Sequence, residues 1–177
     1  MTYNKPLVLA SFYIAVLFII AFSFSACSTC GYSLKGGSLD PAAEKLKVDF
    51  FNNRASQVNP TLSQIFTEKL KDKYLRETRL KLNVDDPDVY LSGYISSYTV
   101  APVGVGSNGQ AQSSRLTIVV HVKYMSKQNP KSNFESDITQ FTDFNATQSF
   151  SAVEATLVDD ICNKLVQDIF NKTILDW

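Results

Sequence analysis

The sequence is short of the residue types that most catalytic and metal sites need. Its 177 residues include one histidine, three cysteines and one tryptophan. A single histidine leaves little material for nucleophile–histidine catalysis or for a zinc site, which draws on several histidine or cysteine ligands. Three cysteines are too few for a disulfide scaffold. We therefore expect no catalytic residue, no metal ion and no cofactor.

The sequence also lacks an excess of charge of either sign. Its 17 lysine and arginine residues balance 17 aspartate and glutamate residues. Proteins that bind nucleic acid need a clear basic excess for their phosphate contacts, so we expect no nucleic-acid partner. Large aromatic side chains are plentiful, with 12 phenylalanines and 8 tyrosines. These side chains can fill the core of an ordinary domain.

The longest apolar run lies at the N-terminus, where it is typical of a secretory signal. Lys5 precedes apolar residues 7–24, and Ser25-Ala26-Cys27 follows. Small residues directly before a cysteine resemble the lipobox of bacterial lipoproteins, in which a peptidase cuts before a lipid-bearing cysteine. We predict a lipoprotein-type signal peptide over 1–26 and lipidation at Cys27, with Cys30 as the alternative site. A retained membrane-spanning helix is the competing interpretation of the run.

Two cysteines remain if Cys27 carries the lipid. Cys30 and Cys162 could pair in an oxidising periplasm. Cys162, however, lies beside Ile161 and Leu165 on the apolar stripe of a predicted helix. This position favours a buried, inert thiol.

The rest of the chain divides into a tether and one domain. Residues 27–44 begin with a short, polar, glycine-containing stretch and form a lipidated tether, and residues 45–177 form a single domain. The domain begins with a strand in which Leu46, Val48 and Phe50 point to one side.

Two helices and four further strands follow this first strand. Asn59-Pro60 opens a helix that runs to about Glu77, and Ser151-Ala152-Val153-Glu154 is a capping box that starts the second helix. Apolar and polar residues alternate in the four stretches between them, at 79–84, 89–100, 115–127 and 134–144. A two-layer α+β fold satisfies this order, with two helices packed on one face of a mostly antiparallel four- to five-stranded sheet.

The predicted core consists of apolar positions that share one side of each element. Those sides must face each other to leave water. The core positions are Leu46, Val48, Phe50, Leu62, Ile65, Phe66, Leu70, Leu91, Ile95, Leu116, Ile118, Val120, Val122, Leu157, Ile161 and Leu165.

Three patterns that look chemical have simpler structural explanations. Gly104-Val105-Gly106-Ser107-Asn108-Gly109 matches the G-x-G-x-x-G pattern, but dinucleotide binding needs a helix to begin there, and a strand follows. We interpret this motif as part of a long hairpin loop over 101–114. His121 is interpreted as a solvated strand histidine. Asp159-Asp160 point to different faces of a helix and so form no catalytic pair.

The sheet face opposite the predicted helices combines basic residues with tyrosines. Such a surface could meet phosphorylated lipid headgroups or the polar wall of a partner protein. The candidate binding residues are Arg115, Lys123, Lys127, Tyr90, Tyr94 and Tyr98. The alternative is an ordinary solvated face, on which Glu135, Asp137 and Asp143 balance the basic residues.

Several short motifs carry a family resemblance along nearly the whole mature chain. Soon after the lipobox comes Cys30-Gly31-Tyr32-Ser33-Leu34-Lys35-Gly36, and a later strand reads Asp88-Val89-Tyr90-Leu91-Ser92-Gly93-Tyr94-Ile95. The predicted elements also match: a first strand at 46–52, a helix after Asn59-Pro60 and a second helix after Ser151. In these features the chain resembles the LptE family, the lipoprotein partner of the outer-membrane lipopolysaccharide translocon.

The resemblance implies a non-enzymatic lipoprotein with two helices on one side of a sheet. It also implies that the domain plugs an LptD-type β-barrel, assists its assembly and contacts lipopolysaccharide during export. We expect an outer-membrane location with an N-terminal lipid anchor in a Gram-negative bacterium. Because Ser28-Thr29 follows Cys27 in place of an acidic export signal, the domain should face the periplasm. The alternatives are a lipid-anchored carrier or chaperone, which needs an enclosed apolar cavity, and a pilot adaptor for another outer-membrane channel.

Overall fold

The structure, a computed structural model, describes residues 42–57, 59–105 and 111–174. The predicted signal peptide, the lipidation site at Cys27 or Cys30 and most of the tether lie outside these residues. Within the described part of the chain, neither helix is long and apolar enough to cross a membrane.

The observed order of elements is the predicted one with a short strand added. The helices are α1 (Leu62–Glu77) and α2 (Phe150–Ile174). The strands are β1 (Lys45–Val48), β2 (Asn52–Asn53), β3 (Lys81–Leu82), β4 (Val89–Val105), β5 (Ala111–Ser126) and β6 (Phe134–Asn145). The predicted loop over 101–114 is wrong in extent, because β4 and β5 stay paired as far as Val105 and Ala111.

The strands form one mixed sheet with the order β3-β1-β4-β5-β6, and β2 pairs with β4. The long strands β4, β5 and β6 are antiparallel, as predicted. The short strands make the parallel pairs: β1 with β3 and β4, and β2 with β4. Parallel pairing of β1 with β3 is possible because α1 lies in the connection between them and returns the chain to the same end of the sheet.

The core lies between the helices and one face of the sheet, which confirms the two-layer α+β fold. Most of the predicted core residues are fully buried, and Val48 and Ile65 are partly buried. Two tyrosines in this core, Tyr74 of α1 and Tyr124 of β5, are also fully buried. The Tyr74 hydroxyl bonds to Thr173 of α2, and burial raises the pKa of Tyr74 well above its ordinary value. Tyr74 therefore joins α1 to α2 as a neutral phenol.

Phe50 is a predicted core residue that the structure places outside the core. Its exposed fraction is 51%, whereas that of Phe51 is 0%. Val48 pairs with Leu91 and Asn52 pairs with Tyr94, so this segment has one residue more than β4 has between the same two points. An extra residue reverses the alternation of side chains, and Phe51 therefore replaces Phe50 in the core.

The predicted capping box of the second helix is wrong, because α2 already begins at Phe150, one residue before Ser151. Glu154 instead accepts hydrogen bonds from Asn59 Nδ2, at 2.8 Å, and from the Tyr98 hydroxyl, at 2.6 Å. The side-chain oxygen of Asn59 also accepts bonds from the backbone N–H groups of Thr61 and Leu62 at the start of α1. One carboxylate thus joins the starts of both helices to β4.

Cys162 is a buried residue on α2 with a free thiol. Burial raises the pKa of the thiol to about 12. A thiol with such a high pKa is a poor nucleophile at neutral pH, which supports the interpretation of Cys162 as inert. Its pairing with Cys30 stays the untested alternative, because Cys30 lies outside the described residues.

Candidate functional site

One face of the sheet carries neither helix in the described residues, and we call it the open face. Its side chains come from alternate positions of β4, β5 and β6. They include Tyr90, Ser92, Tyr94, Arg115, Thr117, Val119, His121, Lys123, Met125, Glu135, Asp137, Phe141 and Asp143. The face predicted from the sequence therefore exists, but one predicted residue, Tyr98, does not lie on it.

Tyr98 does not lie on the open face, so the prediction that it shares a face with Tyr90 and Tyr94 is wrong. Its exposed fraction is 3%, and its hydroxyl donates to Glu154 of α2. Ile95 pairs with Val120 and Ser97 pairs with Val119, which leaves an extra residue in β4 between them. This β-bulge reverses the alternation beyond it. Burial and the Glu154 carboxylate raise the pKa of Tyr98.

Arg115 is held in place by residues of β6. Its guanidinium group bonds to both carboxylate oxygens of Asp143, at 2.6 and 3.0 Å, and lies 3.8 Å from the centroid of the Phe141 ring. The hydrogen bond from Arg115 lowers the pKa of Asp143. Arg115 of β5 thus forms a two-point ion pair with Asp143 of β6.

The other two candidate bases also have acidic partners. The Lys123 ammonium lies 3.4 Å from Glu135, and the Lys127 ammonium lies 2.9 Å from each carboxylate oxygen of Asp86. The hydrogen bond from Lys127 lowers the pKa of Asp86. These pairs support the alternative of a face with balanced charge, although Lys123 and Lys127 keep about half of their side-chain surface exposed.

The candidate residues do not form a single patch. At about 3.3 Å per residue of strand, Arg115 lies roughly 26 Å from Lys123 along β5. Tyr90 pairs with Met125, and Lys127 follows the end of β5. The structure therefore brings Tyr90, Lys123 and Lys127 together at one end of the sheet and leaves Arg115 towards the other end.

A cavity of about 460 Å³ opens at this end of the sheet, and we call it the β5-end cavity. Two ammonium groups and several apolar groups lie around it. Its lining residues are Lys47, Pro87, Asp88, Tyr90, Met125, Ser126 and Lys127. Such a combination can hold an anionic group that carries an apolar chain.

Lys47 and Met125 are two of the five lining residues that were not among the sequence candidates. Lys47 lies on β1, with its ammonium 5.2 Å from the centroid of the Tyr90 ring. Met125 is 42% exposed and pairs with Tyr90. The alternation in 115–127 could have identified Met125, but the approach of Lys47 depends on the parallel pairing of β1 with β4.

Asp88 forms part of the wall of the β5-end cavity. One of its carboxylate oxygens accepts bonds from the backbone N–H groups of Glu44 and Lys45, both at 2.9 Å, and the other accepts a bond from Gln128 at 2.7 Å. The backbone bonds from Glu44 and Lys45 lower the pKa of Asp88. Asp88 thus holds the start of β1 beside the ends of β4 and β5.

His121 lies in the middle of the open face, where two carboxylates and an aromatic ring hold it. Its Nδ1 is 2.7 Å from Asp137 and its Nε2 is 3.0 Å from Glu135. The ring stacks on Tyr94 at a centroid distance of 4.9 Å. The hydrogen bonds to Asp137 and Glu135 raise the pKa of His121. The interpretation of a simply solvated histidine is therefore wrong.

Metal ligation by His121 has no support in the described residues, where no group of three or more ligating side chains could hold a metal ion. Its two ring nitrogens instead meet different carboxylates. A ring with an acceptor at each nitrogen is bound best as the doubly protonated cation.

We expect His121 to make the stability of the domain depend on pH. Because its pKa is raised in the folded state, its contribution is fully present below the ordinary value of 6.5 and is lost as the pH rises through the raised pKa. The difference in Tm between wild type and His121→Gln should therefore be largest near pH 6 and shrink by about pH 9. Other charged or titratable groups near the ring are Glu135, Asp137, Lys123, Tyr94 and Arg54. A difference that grows with pH would contradict this assignment.

Comparisons with known proteins place the chain in a family. A family model described as "LptE: Lipopolysaccharide-assembly" matches residues 43–173. In a search of curated proteins, no sequence matches the chain.

The solved structures that the chain matches include one Chlamydia protein and two bacterial lipoproteins. The hypothetical protein CT253 from Chlamydia trachomatis is 7% identical with a TM-score of 0.51, and the match covers 75% of this chain and 98% of that one. Lipoprotein B from Nitrosomonas europaea is 16% identical with a TM-score of 0.49, over 72% and 80% of the two chains. A minor lipoprotein from Acinetobacter baumannii is 15% identical with a TM-score of 0.47, over 75% and 96%.

The likeness to the Chlamydia protein shows a shared fold. The family match is more informative, because it extends from just before β1 to the last turn of α2. It confirms the resemblance that the short motifs indicated. The chain belongs to the LptE lipopolysaccharide-assembly family.

Proposed function

We propose that the protein is an outer-membrane lipoprotein that faces the periplasm and serves lipopolysaccharide export with an LptD-type β-barrel. The observation that carries this proposal is the family match over residues 43–173. The lipobox-like Ser25-Ala26-Cys27 supports a signal peptide over 1–26 and a lipidated tether over 27–44. In the proposed arrangement, a single domain over 45–177 follows this tether. In this role the domain plugs the barrel, assists its assembly and contacts lipopolysaccharide, without an enzymatic step.

The packing of the domain favours a plug over a carrier of lipids. A carrier needs an enclosed apolar cavity. Here the side chains between the two layers, such as Phe66, Ile118 and Ile161, are fully buried against one another. A pilot adaptor would share this packing, so only the identity of the partner separates it from a plug.

The barrel partner can be tested by affinity purification from detergent-solubilised outer membrane, with mass spectrometry of the co-purifying proteins. An LptD-type barrel should be recovered with the tagged protein and not with an unrelated lipoprotein that carries the same tag. Recovery of a different channel would favour the pilot adaptor. The same preparation shows whether Cys27 or Cys30 carries the lipid.

Within this proposal, the lipopolysaccharide contact is centred on the β5-end cavity. Lys47, Lys123 and Lys127 can approach phosphate groups, while Tyr90 and Met125 offer apolar surface to the attached chains. Tyr94 extends this surface along the open face, and Arg115 is a more distant contact point. Because each of the three sequence-predicted bases already has an acidic partner, binding would exchange a carboxylate for a phosphate.

We expect the double substitution Lys123→Gln and Lys127→Gln to weaken lipopolysaccharide binding by roughly tenfold, since two exposed ionic contacts of about 0.5–1 kcal/mol each are lost. Neutral glutamine is preferable to glutamate, because glutamate at 123 would face Glu135. Binding should also weaken as salt rises. Isothermal titration of the detergent-dispersed lipid measures both effects.

The matched control is Lys71→Gln with Arg76→Gln, which removes two positive charges from the exposed side of α1. It should bind lipopolysaccharide as wild type does. Equal losses in the two double variants would mean that net charge alone drives binding. A separate Arg115→Gln variant measures whether the contact extends along the open face.

A further inference from the structure

One edge of the sheet is long and regular, and no further strand pairs with it in the described residues. β6 is the last strand in the sheet order, has 12 residues and pairs with β5 along its whole length, from Phe134 to Asn145. It contains no proline or lysine, two residues that commonly protect an edge. The opposite edge is β3, which has 2 residues. β6 is thus the edge that another strand could extend.

The outward-facing backbone groups of β6 follow from its pairing with β5. In an antiparallel pair, alternate residues direct both N–H and C=O to the same neighbour. The Ala146 N–H bonds to the Gln112 carbonyl at 3.2 Å, which places even-numbered residues on the β5 side. The Phe141 carbonyl instead lies 3.5 Å from the Lys164 ammonium of α2. The residues whose backbone N–H and C=O groups point away from β5 are Glu135, Asp137, Thr139, Phe141 and Asp143.

These same residues carry their side chains on the open face, and three of them are acidic. β6 has no basic residue, and the stretch from Ile138 to Thr142 is uncharged. A side chain directly opposite an acid in a neighbouring strand is favoured when it is basic and disfavoured when it is acidic. An added strand would therefore be matched best by basic side chains at alternate positions.

A second copy of the chain is a poor occupant of this edge. Antiparallel pairing of two β6 strands about Thr139 would set Glu135 against Asp143 at both ends. Like charges directly opposite each other are destabilising. The acids of β6 thus deter self-pairing and leave the edge available to a different protein.

We propose that the β6 edge binds an extended strand of the protein partner, with lysine or arginine on the side of that strand that lies on the open face. This inference rests on the proposed function, because it names the part of the domain that the partner barrel contacts. The main-chain hydrogen bonds of the added strand supply affinity, and its basic side chains opposite Glu135, Asp137 and Asp143 supply register.

The test uses Thr139, whose N–H points away from β5. Thr139→Pro removes this N–H without breaking a hydrogen bond to β5, and Thr139→Ala removes the same side chain but keeps the N–H. We expect Thr139→Pro to reduce recovery of the partner barrel from outer membrane at least tenfold and Thr139→Ala to leave it near the wild-type level. Equal recovery with a folded proline variant would overturn the inference.

A photo-crosslinking residue at 139 tests whether the β6 edge contacts the barrel, even if the proline variant fails to fold. The control carries the same residue at Glu68, on the exposed side of α1. A crosslink to the barrel from 139 and none from 68 supports the edge. Crosslinks to a second copy, or no adduct from 139, overturn it. If the wild-type chain recovers no barrel at all, the proposed function fails as well, whereas barrel recovery without a crosslink at 139 rejects only the edge.

Discussion

Truncation of Phe51 to alanine is expected to destabilise the domain by about 3–5 kcal/mol, whereas Phe50→Ala should cost less than about 1 kcal/mol. The Phe51 ring is fully buried and meets the edge of the Phe66 ring at a centroid distance of 5.1 Å. Its backbone N–H donates to the hydroxyl of Thr67. Urea unfolding of the two variants measures both free energies.

The two phenylalanines are neighbours in sequence and lose the same atoms, so each is the control for the other. A larger loss at Phe50 would show that the segment between β1 and β2 has no extra residue and that the simple alternation holds. Similar losses at both positions would mean that Phe50 is covered in solution by a surface that the described residues do not include.

Gly93→Ala is expected to cost about 3 kcal/mol or more, or to prevent folding. A Cβ atom at this position would lie 2.0 Å from the backbone oxygen of His121 and 2.6 Å from the Phe51 ring. The backbone oxygen belongs to β5, the central partner of β4, and cannot move without disturbing the sheet. Circular dichroism during heating and urea unfolding report the loss.

The control for this substitution is Gly104→Ala. Gly104 has a φ of +72° and no atom within 4 Å of an added Cβ, so only backbone strain of about 1–2 kcal/mol is expected. The double variant Phe51→Ala with Gly93→Ala separates the two clashes. If Gly93→Ala cost no further stability in the Phe51→Ala background, the contact with His121 would not be the dominant one.

The sequence predicted the layers well because the apolar side of each element is a local pattern. Its two errors in the direction of a side chain fall where a strand holds one residue more than its partner. Phe50 and Tyr98 each follow a regular spacing, yet the break after β1 and the bulge near Ser97 turn them to the opposite face. Such a residue is visible only from the register with the neighbouring strand, which the chain's own periodicity does not contain.

The candidate site could be predicted only where it depends on the local alternation of side chains. Charge balance across the open face could be expected from Arg115, Lys123 and the acids of the last strand, and the register of β5 with β6 forms those pairs. The β5-end cavity could not be expected, because Lys47 comes from a distant part of the sequence through a parallel pairing. Contacts between segments so far apart depend on the tertiary fold.

The carboxylate of Glu154 makes early parts of the domain depend on a helix that is synthesised later. It satisfies Asn59 at the start of α1 and the buried hydroxyl of Tyr98, yet it belongs to the helix formed by the last part of the chain. Until α2 packs, Asn59 and Tyr98 lack this acceptor, and the apolar side of the sheet lacks the cover that α2 provides. Contacts that span so much sequence slow folding. Under the proposed export across the inner membrane, the domain would stay incomplete, and open to chaperones and proteases, until α2 has emerged.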